Sequence, residues 1–153
     1  PCAPHVAAAL QDVTIDPALL RHAYQQVAAQ AEAVVVEGVG GFRVPLTDDF
    51  DTADFSVALG LDVILVVGLR LGCLNHALLT VEAIAARGLR LAGWIANQID
   101  PAMPHQADNV QALKQRITAP LLGVVPWLPV AAPARAADAI DFSLLDTWPV
   151  AAR

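Results

Sequence analysis

The stretch DVILVVG at residues 62–68 decides the fold class of this chain. Five consecutive apolar residues, four of them β-branched, form a run that is too short for an ordinary helix. Such a run is typical of a strand buried on both faces, and strands of that kind occur in parallel sheets. Comparable runs occupy residues 33–37, 89–96 and 121–125. The sequence therefore predicts four buried strands.

Helical patterns separate these runs. Asp16 followed by Pro17 is a helix-start signal, and helices are predicted over residues 16–31, 74–87 and 105–117. The Ala/Pro-rich residues 129–137 are predicted to form a loop, before a last short helix at residues 139–145. The alternation predicts an α/β fold, a mostly parallel sheet flanked by helices, in one domain over residues 1–153.

Composition excludes several classes of protein. The chain has 153 residues, of which 56% are hydrophobic and 16% charged, so we expect a folded core rather than disorder. A net charge of −6 argues against a nucleic-acid partner. No apolar run approaches the roughly 20 residues of a membrane span, so no membrane partner is expected. Two cysteines and the lack of a secretory leader pattern favour the cytoplasm.

In parallel α/β sheets, ligands bind at the carboxyl ends of the strands, and those ends carry unusual residues here. Glu37 ends the first run and precedes Gly38, Val39 and Gly40. A carboxylate there is suited to Mg²⁺ or to ordering water beside a nucleotide, while the glycines admit a phosphate. The alternative is a strand-end glutamate that caps a turn.

The third and fourth runs end in residues suited to a planar heterocycle. Asn97 offers both a donor and an acceptor, with Gln98 beside it, and Pro126, Trp127 and Leu128 form a candidate wall. The alternatives are that Asn97 braces its own loop and that Trp127 belongs to a packed strand terminus.

The sequence GCLNH at residues 72–76 lies at a strand-to-helix turn, where free N–H groups attract anions such as a carboxylate. Asn75 is positioned to add side-chain recognition. Cys73 and His76 are expected to pack rather than to form a catalytic pair. The acidic residues 48–54 lack metal-loop spacing, so Asp51 or Thr52 is expected to cap the next helix.

Taken in order, these segments resemble the dethiobiotin synthetase family. The resemblance rests on VVEGVGG (35–41), VILVVG (63–68), LGCLNHA (71–77), LAGWIAN (91–97), APLLG (119–123) and PWL (126–128). The phosphate-loop pattern G-x-x-x-x-G-K-[ST] is absent from the sequence. The resemblance covers the family's later two-thirds, so we expect the P-loop NTPase-like fold without its N-terminal phosphate-loop segment, and a chain that is inactive alone.

The resemblance implies an ATP-dependent ligase of biotin biosynthesis that works as a homodimer. Its substrates are 7,8-diaminononanoate, CO2 and ATP, with Mg²⁺ as cofactor. Glu37 would be a Mg²⁺ ligand near the phosphates, and Gly38 to Gly40 would line the nucleotide. Asn97 would read adenine beside Gln98, and residues 126–128 would flank the base and ribose.

The resemblance also implies that Asn75 holds the substrate carboxylate across the dimer interface. It places no catalytic residue in this segment. Two other functions stay open: a non-catalytic regulatory domain related to dethiobiotin synthetase, and a partitioning-type ATPase of the same general fold. The Gly-Cys-Leu-Asn-His phrase favours the ligase, because a regulatory domain needs no site for a substrate carboxylate.

Overall fold

A computed structural model describes residues 2–146. The ends of the predicted 1–153 domain, residue 1 and residues 147–153, lie outside the described part. The elements of the described chain are the helices α1 (Pro4–Leu10), α2 (Pro17–Ala28) and α3 (Thr52–Leu59), then β1 (Val63–Leu69), α4 (Cys73–Ala86), β2 (Leu91–Gln98), α5 (Gln106–Lys114), β3 (Leu121–Val125), α6 (Pro133–Asp138) and a 3₁₀ turn at Phe142–Leu144.

The described residues divide into two compact units, and the boundary in the sequence lies between Leu61 and Asp62. The first unit contains α1 to α3, and the second contains every described strand.

The second unit is built on a three-stranded sheet in the order β1-β2-β3, with both pairs parallel. Helix α4 connects β1 to β2, and α5 connects β2 to β3. This confirms the predicted α/β class and three of the four predicted strands.

Apolar side chains pack on both faces of this sheet. On the first face, Val67, Leu69, Trp94 and Ala96 pack with α4 and with Leu113 of α5. On the second face, buried residues from β2, β3 and the C-terminal region form another cluster: Ile95, Leu122, Val125 and Leu145. Alternate residues of β2 therefore serve opposite faces, as the pleat of a strand requires.

The C-terminal region corrects the sequence prediction. Helix α6 (Pro133–Asp138) begins inside the predicted loop, with Pro133 at its start, and the predicted helix at 139–145 is reduced to the 3₁₀ turn. The cause is tertiary, because the backbone after α6 bonds to β3: the Asp141 amide donates to the Leu122 carbonyl at 2.8 Å. Gly123 permits this approach, since a Cβ there would collide with the Ala139 carbonyl oxygen.

The strand predicted at residues 33–37 is wrong. These residues have no regular secondary structure, and Val35 is 76% exposed. A strand persists only when its backbone groups pair with a neighbour, and among residues 2–146 no strand lies beside this segment. Its valines instead line a groove against α2.

Helix starts follow the predicted capping chemistry. Asp16 accepts from the Ala18 amide at 2.8 Å at the start of α2. Asp51 and Asp54 form a reciprocal capping box at the start of α3, which confirms Asp51 as the cap. No helix within residues 2–146 is both long and apolar enough to cross a membrane.

Candidate functional site

The carboxyl ends of the three parallel strands are aligned. Gly68 of β1 pairs with Asn97 of β2, and Asn97 pairs with Val125 of β3. The residues that sequence analysis placed at the ends of the third and fourth predicted strands therefore share one edge of the sheet. This edge is where parallel α/β sheets bind ligands.

Asn97 lies at the end of the central strand with an unused carboxamide. Its backbone is held by both neighbours, and the alternation of β2 puts its side chain on the face of Ile95. The side chain is half-buried, and within residues 2–146 its amide has no hydrogen-bond partner. An amide held in place by its strand, with both donor and acceptor free, is suited to the edge of a heterocycle.

Gln98 points to the opposite face and has a partner. Its Oε1 accepts a hydrogen bond from the Trp127 backbone N–H at 3.2 Å. Trp127 is 45% exposed, while Leu128 packs against the apolar cluster of the second face. The segment 126–128 is thus bonded to the last residue of β2 and packs on the second face of the sheet.

Ile99 is a residue of this edge that the sequence analysis missed. Its Cδ1 lies 2.6 Å from the position that a Cβ on Gly68 would occupy, so Ile99 covers the end of β1 next to Asn97. It is nevertheless 42% exposed. The sequence signal that could have identified it is a large apolar residue directly after the polar end of a strand.

The turn after β1 presents the start of α4. Gly72 has φ of +93°, a left-handed conformation that favours glycine, and it provides no side-chain cap. Asn75 lies exposed in the first turn, where backbone N–H groups lack intrahelical partners. This end of α4 is therefore able to receive an anion.

Cys73 is 2% exposed and packs in the core of the first face, as predicted. His76 is exposed, and its ring lies beside Gly72. A buried thiol has no access to a substrate, so this pair is not a nucleophilic site.

Glu37 and residues 38–40 belong to the first unit. All four are exposed, and Glu37 lines a groove of about 360 Å³ together with residues of α2 and Phe55 of α3. Among residues 2–146, no group of three His, Cys, Asp or Glu side chains is arranged to hold a metal ion. A lone exposed carboxylate still fits Mg²⁺, which commonly takes one protein carboxylate together with substrate phosphates and water.

Comparison with known proteins decides the family. Residues 1–135 match the family described as AAA domain.

The chain belongs to the AAA domain family.

Three curated relatives of this chain share one name. The chain is 63% identical over 150 residues to ATP-dependent dethiobiotin synthetase BioD of Janthinobacterium sp. (strain Marseille), covering 98% of this chain and 64% of the relative. It is 64% identical over 140 residues to the protein of that name in Aromatoleum aromaticum, covering 92% and 62%. For the protein of that name in Ralstonia nicotianae the identity is 59% over 145 residues, covering 95% and 63%.

These similarities confirm the resemblance to dethiobiotin synthetases. The AAA domain spans 62–64% of the length of these curated relatives. The P-loop NTPase-like fold predicted from sequence agrees with the family and with the parallel sheet.

A second opening of this AAA domain lies on the first face of the sheet. It has a volume of about 340 Å³ and is bounded by α5 and the ends of the strands. Leu69, Leu121 and Val124 form an apolar floor, and Gln98 and Gln111 are among its polar residues. Gln98 therefore lines this cavity and also accepts the hydrogen bond from the Trp127 N–H.

Proposed function

We propose that this chain acts in the ATP-dependent synthesis of dethiobiotin, as a cyclo-ligase of biotin biosynthesis. The shared name of three curated relatives supports this reaction, and their identities of 59–64% support proposing the same reaction for this chain. One observation in the structure carries the nucleotide part of the proposal. It is the free carboxamide of Asn97, held at the carboxyl end of the central strand.

The proposed reaction joins 7,8-diaminononanoate and CO2 at the expense of ATP. One amine of the substrate bonds to the carbon of CO2 and loses a proton, which gives a carbamate. A carbamate oxygen takes the γ-phosphoryl group of ATP, and ADP leaves. The second amine then attacks the carbonyl carbon, the bond to the phosphate oxygen breaks, and inorganic phosphate and a proton are released as the ureido ring closes.

In this proposal the strand ends bind the nucleotide. Asn97 contacts the edge of adenine through its donor and acceptor, and Pro126, Trp127 and Leu128 flank the base and ribose. Gly38, Val39 and Gly40 line the nucleotide through backbone that carries little side-chain bulk. Asn75, at the exposed start of α4, binds the carboxylate of the nine-carbon substrate.

We propose Glu37 as the protein ligand of Mg²⁺, whose role when bound is to neutralise phosphate charge. Glu37→Gln keeps the size of the side chain and removes its charge. Turnover should fall across a Mg²⁺ titration, while the midpoint of thermal unfolding changes little because the side chain is exposed. A variant with wild-type turnover at every Mg²⁺ concentration would exclude this role.

We also propose a homodimer, with the substrate site at its interface, and a cytoplasmic location. The dimer follows from the family that the chain resembles. The location agrees with the two free cysteines, because free thiols persist in a reducing compartment.

The test is formation of dethiobiotin from the diamine, CO2, ATP and Mg²⁺, using the protein expressed from its complete coding sequence. Asn97→Ala should weaken ATP binding by about 1–3 kcal/mol, because it removes the group that pairs with a buried base edge. The fold should persist, since no group within residues 2–146 loses a hydrogen bond to this side chain.

The control is Asn109→Ala, which removes a carboxamide of α5 that, among residues 2–146, bonds to the carbonyl of His105, the residue before the helix. Failure to form dethiobiotin would reject the ligase. Unchanged ATP affinity in Asn97→Ala would reject the base contact alone.

A further inference from the structure

Gln98 and Asn97 are adjacent carboxamides with different surroundings. The pleat of β2 directs Asn97 to the face of Ile95, and it directs Gln98 to the face of Trp94 and Ala96, where it lines the cavity beside α5. The two carboxamides therefore leave the strand on opposite faces of the sheet.

The carbonyl oxygen of Gln98 is already engaged. It accepts from the Trp127 N–H across 29 positions of sequence. The first residue after β3, Pro126, has no N–H, so Trp127 provides the first backbone donor after the strand. Gln98 satisfies that donor where the sheet ladder has ended.

The segment 126–128 is consequently held from both faces. Leu128 packs against the cluster of the second face, and Gln98 holds Trp127 from the first. Between these two anchors the segment passes the end of β2, where the Asn97 carboxamide is free. Without the hydrogen bond to Gln98, only the packing of Leu128 would remain of these two anchors, and Trp127 could move.

We propose that Gln98 is a positioning residue, which acts through its carbonyl oxygen to hold the segment 126–128 against the end of β2, so that of the two carboxamides only Asn97 contacts the base. This inference rests on the proposed nucleotide site for its functional part. The brace itself is a property of the protein without ligand.

Two substitutions of Gln98 distinguish the role of its carbonyl oxygen as acceptor from that of its NH₂ group as donor. Gln98→Glu keeps length and acceptor oxygens but cannot donate at neutral pH, and Gln98→Met keeps length but accepts poorly. Gln111→Glu and Gln111→Met are matched controls, because Gln111 lines the same cavity and has no hydrogen bond to the segment 126–128. The ligand is adenosine, which is uncharged, so an added carboxylate does not act by repelling phosphates.

The first measurement is hydrogen exchange of the Trp127 amide in the protein without ligand, expressed from its complete coding sequence. In Gln98→Met exchange should be about 5- to 10-fold faster than in the wild type, the effect of losing one hydrogen bond, and in Gln98→Glu it should stay slow. Both Gln111 variants should match the wild type. Slow exchange in Gln98→Met would overturn the brace.

The second measurement is the dissociation constant of adenosine. Gln98→Met should bind about 3- to 10-fold more weakly, and Gln98→Glu should bind like the wild type. If Gln98→Glu binds as weakly as Gln98→Met while its Trp127 amide stays protected, then Gln98 donates to the base and the proposal is wrong. If the wild type fails to bind adenosine, the proposed nucleotide site fails, and the exchange data still decide the brace.

Discussion

At the scale of single residues, Asn75 has the most specific expected effect. It is exposed in the first turn of α4, behind a glycine that offers no side-chain cap, so a ligand anion would meet both its carboxamide and free backbone N–H groups. The backbone groups remain in any variant. The contribution of the side chain is therefore expected to be modest.

We predict that Asn75→Ala raises the KM for the diamine about 5- to 30-fold, equivalent to about 1–2 kcal/mol, and leaves ATP binding unchanged. Steady-state kinetics on the protein from its complete coding sequence provide the measurement, with Asn109→Ala as the control. A KM equal to that of the wild type would remove Asn75 from the substrate site, and a matching loss of ATP affinity would assign it to the nucleotide instead.

Trp94 is a buried residue whose polar group, the indole N–H, has no hydrogen-bond partner among residues 2–146. Its side chain is fully buried, and the indole N–H is the one buried side-chain polar atom within residues 2–146 that lacks a hydrogen-bond partner. An unpaired buried donor destabilises a fold by about 1–3 kcal/mol. The large apolar surface that Trp94 buries against both helices of its face offsets that cost.

At the scale of elements, α5 is attached to the sheet by few apolar residues. The helix is largely polar, and Leu113 is its only residue in the buried core, with Val110 partly buried beside the same cluster. Because α5 borders the cavity that contains Gln98, its attachment also bears on that side chain.

Leu113→Ala should lower the free energy of unfolding by about 2–5 kcal/mol, since it removes a fully buried side chain and leaves a cavity. Leu79→Ala is the matched control, because Leu79 is a leucine of α4 that is 56% exposed, and it should change stability by no more than about 0.5 kcal/mol. Urea unfolding of both variants tests this. Equal effects would show that α5 does not depend on this contact.

At the scale of the second unit as a whole, one arginine joins three separate segments. Arg90, before β2, donates to Asp62, before β1, with Nε 3.0 Å from Oδ1, and its Nη1 lies 3.1 Å from Oδ2 of Asp146 near the C-terminal end of the described chain. Hydrogen bonding from Arg90, reinforced by its positive charge, lowers the pKa of Asp62 below its ordinary value of 3.8.

A carboxylate whose pKa is lowered on folding stabilises the fold above its ordinary pKa and loses that effect as the pH falls through the lowered value. The difference in unfolding free energy between wild type and Asp62→Asn should therefore be constant from pH 7 to about pH 5, then shrink below pH 3.8. Asp48→Asn is the control, because Asp48 is exposed and has no ion pair among the described residues. A difference that stays constant down to pH 2 would contradict the assignment.

Local patterns in the sequence determined much of this fold. Strands β1, β2 and β3, helix α4 and the caps Asp16 and Asp51 were all predicted, because burial periodicity and capping depend on residues close together in the chain. The same reasoning placed Asn97 and the segment 126–128 at strand ends. Parallel strands bring their carboxyl ends to one edge of the sheet whatever the details of packing. The position of these residues at one edge of the candidate site was therefore predictable as well.

Only the tertiary structure decided where backbone groups found partners. The valines at 34–36 have the composition of a strand but lack a neighbouring strand in the described chain. The backbone after α6 bonds to β3 instead of continuing as a helix. The hydrogen-bond partner of Gln98 could likewise not be predicted from the sequence, because a bond to a residue 29 positions away depends on the register of β2 and β3. Pairing over such distances is set by the packing of whole elements, and no local pattern encodes it.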